Sequence, residues 1–420
     1  MGFATKWLAE RALFPVLFRD IPDSRTGIIL AVPAYNEPGI RVLLDSLASC
    51  DPPFCKVEIL IIVNAKEGSG SDIILNNQKC IEDIDSWKRD NPDCFFRVFA
   101  FNAGIPEIKG WGVGLARKTA MDEALRRLNE IDYPEGVIVC LDADCSVEKN
   151  YFVSIAEHLL RDTRHTACSI YFEHPLDVTQ TDENIIKYII MYELHLRYFL
   201  WANKFSGFPW AVHTVGSALA VKAFQYMKAG GMNRRQAGED FYFIQKLAPL
   251  DGYFSLNKTA VYPSPRESLR VPFGTGATIS RMMRSNGEQL LTYNFDAFRE
   301  LRSLFTIVDK LYQAGNQEAI NFYQDLPAGL RSFISEKEWT EKIREINANT
   351  AGSVSFLKRF YGWFNMFRIV RYLNYVHGSM LEKKPVTDSA TDLLRTLGHS
   401  ICHTTASDLL TYMRQLEKNG

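Results

Sequence analysis

Residues 136–141, Gly-Val-Ile-Val-Cys-Leu, form an uninterrupted apolar run of β-formers that stops at two carboxylates, Asp142 and Asp144. A run with no polar alternation reads as a strand buried on both faces, and such strands belong to parallel sheets covered by helices. Ligands of open α/β sheets bind just beyond the carboxyl ends of the strands, so the two acids stand at the expected edge of a site. In an extended segment Asp142 and Asp144 point the same way, can share one hard divalent cation, and through it can hold two phosphate oxygens. That is chemistry for a nucleoside diphosphate.

The pattern around this run sets the fold class. Residues 27–33 and 57–63 are β-rich apolar runs, each followed by a polar loop and a helical pattern, and residues 95–101, 112–129 and 137–141 repeat strand, helix, strand. The alternation predicts βαβ units and an α/β fold, a mostly parallel sheet with flanking helices. Helical patterns follow at 151–161 and, rich in aromatics, at 184–202. Beyond residue 290 strand signals nearly vanish, and 298–313, 319–323, 337–346, 354–377 and 406–418 read as helices. The expected organisation is an N-terminal helix within 1–24, an α/β domain over 25–290 and a helical C-terminal extension over 291–420.

Composition removes several function classes. With 48 Lys+Arg against 49 Asp+Glu the formal charge is -1, so no basic field recruits nucleic acid. The eight cysteines form no CxxC pair and several lie in apolar stretches, which reads as reduced core thiols of a cytoplasmic protein. No window approaches the about 18 uncharged apolar residues of a membrane span, so a soluble protein is expected. Phe356, Phe360, Trp363, Phe364 and Phe367 recur near helical spacing beside Lys358, Arg359, Arg368 and Arg371. Two readings stand for this 354–377 segment: core packing, or peripheral docking on an anionic membrane.

Further motifs fall at strand ends. Val32-Pro33-Ala34-Tyr35-Asn36-Glu37-Pro38 ends the first strand, and a proline before an aromatic and two polar residues makes a rigid outward loop able to receive a base and a ribose. Asn64 ends the second strand, where its amide can donate to and accept from a base edge or simply form a turn. Residues 109–118, Lys-Gly-Trp-Gly-Val-Gly-Leu-Ala-Arg-Lys, let backbone approach a phosphate, but their glycine spacing and position do not fit a nicotinamide dinucleotide site. Gly238-Glu239-Asp240 opens an amphipathic helix, where acidic residues suit the dipole. Residues 263–276 carry the Pro and Gly punctuation of a loop that orders on ligand binding, with Arg266 and Arg270 within reach of a diphosphate.

In their order along the chain, residues 32–37, the triplet 142–144 and Gly238-Glu239-Asp240 resemble a family 2 glycosyltransferase of the GT-A type over residues 25–290. The resemblance implies a Rossmann-like GT-A domain that moves a single sugar from a nucleotide-diphosphate sugar to an acceptor hydroxyl, saccharide or lipid-linked, with Mn²⁺ or Mg²⁺ on the diphosphate. It assigns the nucleoside to Pro33, Tyr35, Glu37 and Asn64, although the family more often ends its second strand in an acid. It makes Lys109 and Arg117 candidates beneath the nucleotide, Asp144 the metal ligand with Asp142 beside it, and Asp240 the base on the acceptor, flanked by Glu239. Residues 216–220 resemble the segment shaping the acceptor pocket, approached by His213 and Thr214. Arg281-Met282-Met283-Arg284-Ser285 lacks the tryptophan of processive synthases, which also need membrane spans, so one transfer per encounter is expected; with Asp240 as the base, an inverting outcome is favoured. Retaining relatives acting on glycerate or phosphoglycerate recruit a late histidine to the metal; between His213 and His377 this chain has none, which leaves His377 for that role. A nucleotidyltransferase and a catalytically silent scaffold are the remaining rivals.

Overall fold

The computed structural model describes residues 2–106, 108, 111–177, 179, 181–235, 238–266, 278, 280, 282, 289–401 and 405–419. The chain divides into two compact units, one of residues 1–189, 212–281 and 414–420, the other of residues 190–211 and 282–413.

The first unit is an α/β layer structure. Its strands are β1 (Thr26–Ala34), β2 (Lys56–Asn64), β3 (Phe96–Gly104), β4 (Val137–Cys140), β5 (Cys145–Val147), β6 (Ala167–Phe172), β7 (Leu219–Lys222) and β8 (Tyr253–Pro263). They form one eight-stranded sheet in the order β3-β2-β1-β4-β7-β6-β8-β5. The half carrying β3, β2, β1 and β4 is parallel throughout, as the dry strand patterns require. In the other half β7 runs antiparallel to both β4 and β6, β8 pairs parallel with β6, and β5 closes the edge antiparallel to β8. Strands β6 to β8 are short or irregular, β8 slipping register against β6, and the sequence pattern shows none of them.

Helix α4 (Val113–Glu130) lies on β1 and β2 and is buried on nearly every face. One face meets the sheet, and the other is wrapped by the N-terminal arm, where only Thr5–Arg11 is helical (α1). The arm is tied down by polar contacts: Ala4 N–H donates to Asn129 Oδ1 (2.6 Å), Leu17 and Phe18 N–H donate to Glu123, and Arg127 Nη1 donates to the Asp20 carbonyl (3.0 Å). Arg127, wholly buried, also forks onto Glu58 of β2, Nε to Oε2 at 2.5 Å and Nη2 to Oε1 at 2.8 Å.

Two local expectations are corrected. Pro33 lies inside β1 opposite Ile62, buried, and the outward loop begins only at Tyr35. Pairing of β1 with β4 stops at Ala31, so the missing proline N–H falls on a side with no ladder to break. The triplet 142–144 is not extended either: Cys145 N–H closes a turn onto the Asp142 carbonyl (3.1 Å), and the two acids meet different partners. All seven described cysteines are free thiols, five of them buried.

The second unit is helical apart from a two-stranded ribbon of Leu291–Thr292 and Lys384–Pro385. Its 354–377 segment is two helices, Ser353–Trp363 and Met366–Ser379, broken because the Asn365 side chain caps the second by accepting from Arg368 N–H. Phe356, Phe360 and Phe364 have no exposed surface, so the stripe packs the core of this unit and those rings are withheld from any lipid. The Val386–Thr396 helix had no sequence expectation. Among the described residues no helix is long and apolar enough to cross a membrane.

The buried Arg127–Glu58 pair joins α4 to the sheet, and removing Arg127 leaves the buried Glu58 carboxylate with only the half-exposed Arg97, 3.9 Å away, as counter-charge. Arg127→Met should therefore lower the unfolding free energy by about 3–5 kcal/mol in urea titrations. Arg127→Met combined with Glu58→Met should recover most of that loss; a double variant as unstable as the single one would contradict the pairing.

Candidate functional site

The sheet's parallel half delivers β1, β2 and β4 to one edge, and the acids of the sequence motifs gather there. Arg117, near the start of α4 and buried, is the centre of one cluster. Its Nη2 donates to Asp142 Oδ1 (2.6 Å) and its Nη1 to Glu239 Oε1. Glu239 and Asp240 open α8 (Glu239–Leu247) behind Gly238, which adopts the left-handed φ of +69°. Asp240 Oδ1 accepts from Phe241 N–H (2.7 Å), which fixes the carboxylate at the helix start. Gly216 passes against both groups: a Cβ there would stand 2.8 Å from Arg117 Nη1 and 3.0 Å from Asp240 Oδ2.

Burial sets the electrostatics. Burial disfavours a charged Arg117, but Asp142 and Glu239 outweigh it and the guanidinium is held ionised more firmly than usual. Burial raises Glu239 above the ordinary carboxylate value, with Arg117 opposing. Asp240 is raised by the same desolvation, again opposed by Arg117 and by the Phe241 N–H.

A second cluster involves the loop after β1. Glu37, buried, accepts from Gly39 N–H (3.0 Å) and from both Nη atoms of Arg266, one at 3.1 Å. Arg266 Nη2 also donates to Asp144 Oδ2 (3.0 Å). Arg266, just past β8, thus links the first-strand loop to the strand-end acid. Tyr35 is half-buried, its hydroxyl 3.5 Å from Ser69 Oγ and its ring 5.9 Å from Lys66 Nζ.

Asn64 is placed differently from a base-reading amide. It is fully buried and its Nδ2 donates to the Ala34 carbonyl (2.9 Å), tying β2 to the end of β1, while Oδ1 has no hydrogen-bond partner among the described residues. Asn77 continues this network by donating to the Asn64 carbonyl (2.8 Å) and accepting from Asn36 N–H (2.9 Å). Asn36, in the left-handed region at φ +49°, also accepts from Asn76 Nδ2 (2.8 Å). Nothing in the sequence marked Asn76 and Asn77, which look like the solvated face of a helix.

Lys109 and Arg270 lie outside the described residues, as do Arg281, Met283, Arg284 and Ser285. His377 is engaged within the helical unit: its Nδ1 meets the Leu373 carbonyl (2.6 Å) and its Nε2 accepts from Asn294 N–H (2.8 Å), so neither nitrogen is left for a metal. His213 Nε2 lies 3.0 Å from Glu417 Oε2. Residues 414–419 return to the first unit, where Arg414 Nη2 donates to the His174 carbonyl (2.9 Å) and Lys418 pairs with Glu173 (3.1 Å), an approach invisible in the sequence.

Among the described residues no three His, Cys, Asp or Glu side chains converge as a closed metal site. The donors present are the hard carboxylate oxygens of Asp142 and Asp144, 36% and 27% exposed, which fit a divalent cation completed by phosphate oxygens.

No family model matches the chain, and no curated protein matches it. Among solved structures, Staphylococcus aureus TarS residues 1–349 in complex with UDP-GlcNAc covers 81% of this chain and 93% of its own at 14% identity and a TM-score of 0.40. The same fragment in complex with UDP gives 14% identity and a TM-score of 0.37, again with 81% and 93% coverage. A mycobacterial protein gives 15% identity and a TM-score of 0.33, covering 64% of this chain and 80% of its own. Likeness at this level does not establish function, which has to come from the site itself.

Gly216 is where the two halves of the first cluster touch. Gly216→Ala should displace Arg117 or Asp240 and lower the melting temperature by several degrees, as about 1–3 kcal/mol of overpacking does in a domain of this kind. An unchanged melting curve would show that the close approach is absent in solution.

Proposed function

We propose that this chain is a glycosyltransferase that moves one sugar from a nucleotide-diphosphate donor to an acceptor hydroxyl, with inversion. The observation that carries this reading is the meeting of Asp142 and Glu239, 97 residues apart in numbering, on the single buried guanidinium of Arg117, with Asp240 beside it. One acid comes from the strand end expected to face a diphosphate and the others from the helix expected to face an acceptor, so donor and acceptor sides share one charge network.

In this reading Asp240 accepts the proton of the acceptor hydroxyl as its oxygen attacks the anomeric carbon opposite the leaving diphosphate. Desolvation makes Asp240 a stronger base than a free aspartate, while its hydrogen bond from Phe241 keeps the carboxylate aimed. Arg117 positions Asp142 and Glu239 and prevents their charges from repelling a third carboxylate. Arg266 supplies a guanidinium for the departing diphosphate, and Tyr35 and Glu37 lie where the nucleoside would enter. Mn²⁺ or Mg²⁺, when bound, would be held by Asp144 with Asp142 nearby and would neutralise charge building on the diphosphate. The family resemblance of the sequence supports the same assignment. A cytoplasmic location and a saccharide or lipid-linked acceptor belong to the proposal.

Asp240→Asn keeps size and removes the proton acceptor. Release of nucleoside diphosphate from sugar donors, with water or an added alcohol as acceptor, should slow at least about a hundredfold while donor affinity is retained. Near-normal turnover would instead favour a retaining mechanism. The pH profile gives a second check. Asp240 must be ionised to act and its pKa is raised, so the rate should climb with pH through a value above the ordinary 3.8 of aspartate. An acid limb at or below that value would contradict the assignment.

A further inference from the structure

Arg266 stands where two different partners of the proposed site would compete for it. Its guanidinium forks onto Glu37, whose side chain is 1% exposed, and the same Nη2 lies 3.0 Å from Asp144 Oδ2. Burial disfavours the charged guanidinium here, and the bond to Glu37 together with the charge of Asp144 more than restores it. Asp144 is also the carboxylate that the nucleotide-sugar reading gives to a divalent cation. A guanidinium and a divalent cation on one carboxylate repel each other, so Arg266 on Asp144 weakens that carboxylate's hold on a cation until a further anion draws the guanidinium away.

A diphosphate is such an anion. Its oxygens can take the planar fork of an arginine bidentately, and they supply the several hard ligands that Mn²⁺ or Mg²⁺ needs beyond one or two carboxylates.

We propose that Arg266 is a placeholder for the divalent cation: it holds Asp144 against metal until a nucleoside diphosphate arrives, and phosphate then draws the guanidinium off Asp144 so that the cation enters with the nucleotide. The inference rests on the nucleotide-sugar reading of the site. It makes Arg266 a determinant of binding order, separate from its contact with the leaving group.

The test titrates MnCl₂ into the full chain without nucleotide, following free Mn²⁺ by electron paramagnetic resonance. Wild type should bind weakly, and Arg266→Gln should bind one Mn²⁺ at least about tenfold more tightly, because the guanidinium on Oδ2 no longer opposes the cation. Arg266→Lys keeps the charge and should stay within about threefold of wild type. Arg266→Gln combined with Asp144→Asn should lose the gained affinity, which places the metal on Asp144. Linkage adds a wild-type measurement that needs no variant: saturating nucleoside diphosphate should raise Mn²⁺ affinity at least about tenfold. Tight nucleotide-free Mn²⁺ binding by wild type that disappears in Asp144→Asn would overturn the placeholder. Equal Mn²⁺ affinities in wild type and Arg266→Gln, with nucleotide still bound by both, would also overturn it and leave the site reading intact. If wild type binds none of UDP, GDP, ADP, CDP and dTDP in the presence of Mn²⁺, the site reading fails and the placeholder fails with it.

Discussion

A guanidinium with almost no contact with water organises the first unit. Arg117 cannot be buried unpaired, since an isolated charge in a dry interior costs far more than a folded domain can spare. Asp142 meets it from the end of β4 and Glu239 from the start of α8, so the pairing forces the turn after the strand, the helix start and α4 into one place. The same pairing leaves Asp240 beside a fixed positive charge and against the Gly216 backbone. In the proposed reading, the residues that stabilise the cluster are those that set its chemistry.

Arg266 completes a parallel arrangement on the other side of the strand end. Each acid of the 142–144 turn faces its own arginine, Asp142 a buried one and Asp144 a partly exposed one. The difference in exposure separates their roles. Arg117 has two short carboxylate contacts and is 5% exposed, whereas Arg266 is 29% exposed, which in the proposed reading lets it exchange partners.

The parallel half of the sheet was legible because β1, β2 and β4 are buried on both faces and write themselves as largely apolar runs. The strand-end acids were legible because they close an unbroken apolar run, and the Glu239–Asp240 helix start because acidic residues suit the helix dipole and the family resemblance singles them out. Strands β6 to β8 of the mixed half were not legible, because runs such as Ala167–Phe172 look alike in a buried helix or a strand. Pairings across distance were hidden as well. No local pattern tells that Arg117 would turn from a phosphate to two acids, that Asn64 would bond the Ala34 carbonyl, or that Glu417 would reach His213. The 354–377 stripe had the right period but no sign of the break at Asn365.

The most direct test of the account is the melting temperature of the full chain with UDP, GDP, ADP, CDP and dTDP, each with and without Mn²⁺. One nucleoside diphosphate at about 100 times its dissociation constant should stabilise the native state by about 2.7 kcal/mol, more with Mn²⁺ than without, and Asp144→Asn should remove the Mn²⁺-dependent part. A chain whose melting curve is unmoved by all five nucleotides in the presence of Mn²⁺ would contradict the claim that this sheet edge is a nucleotide-sugar site.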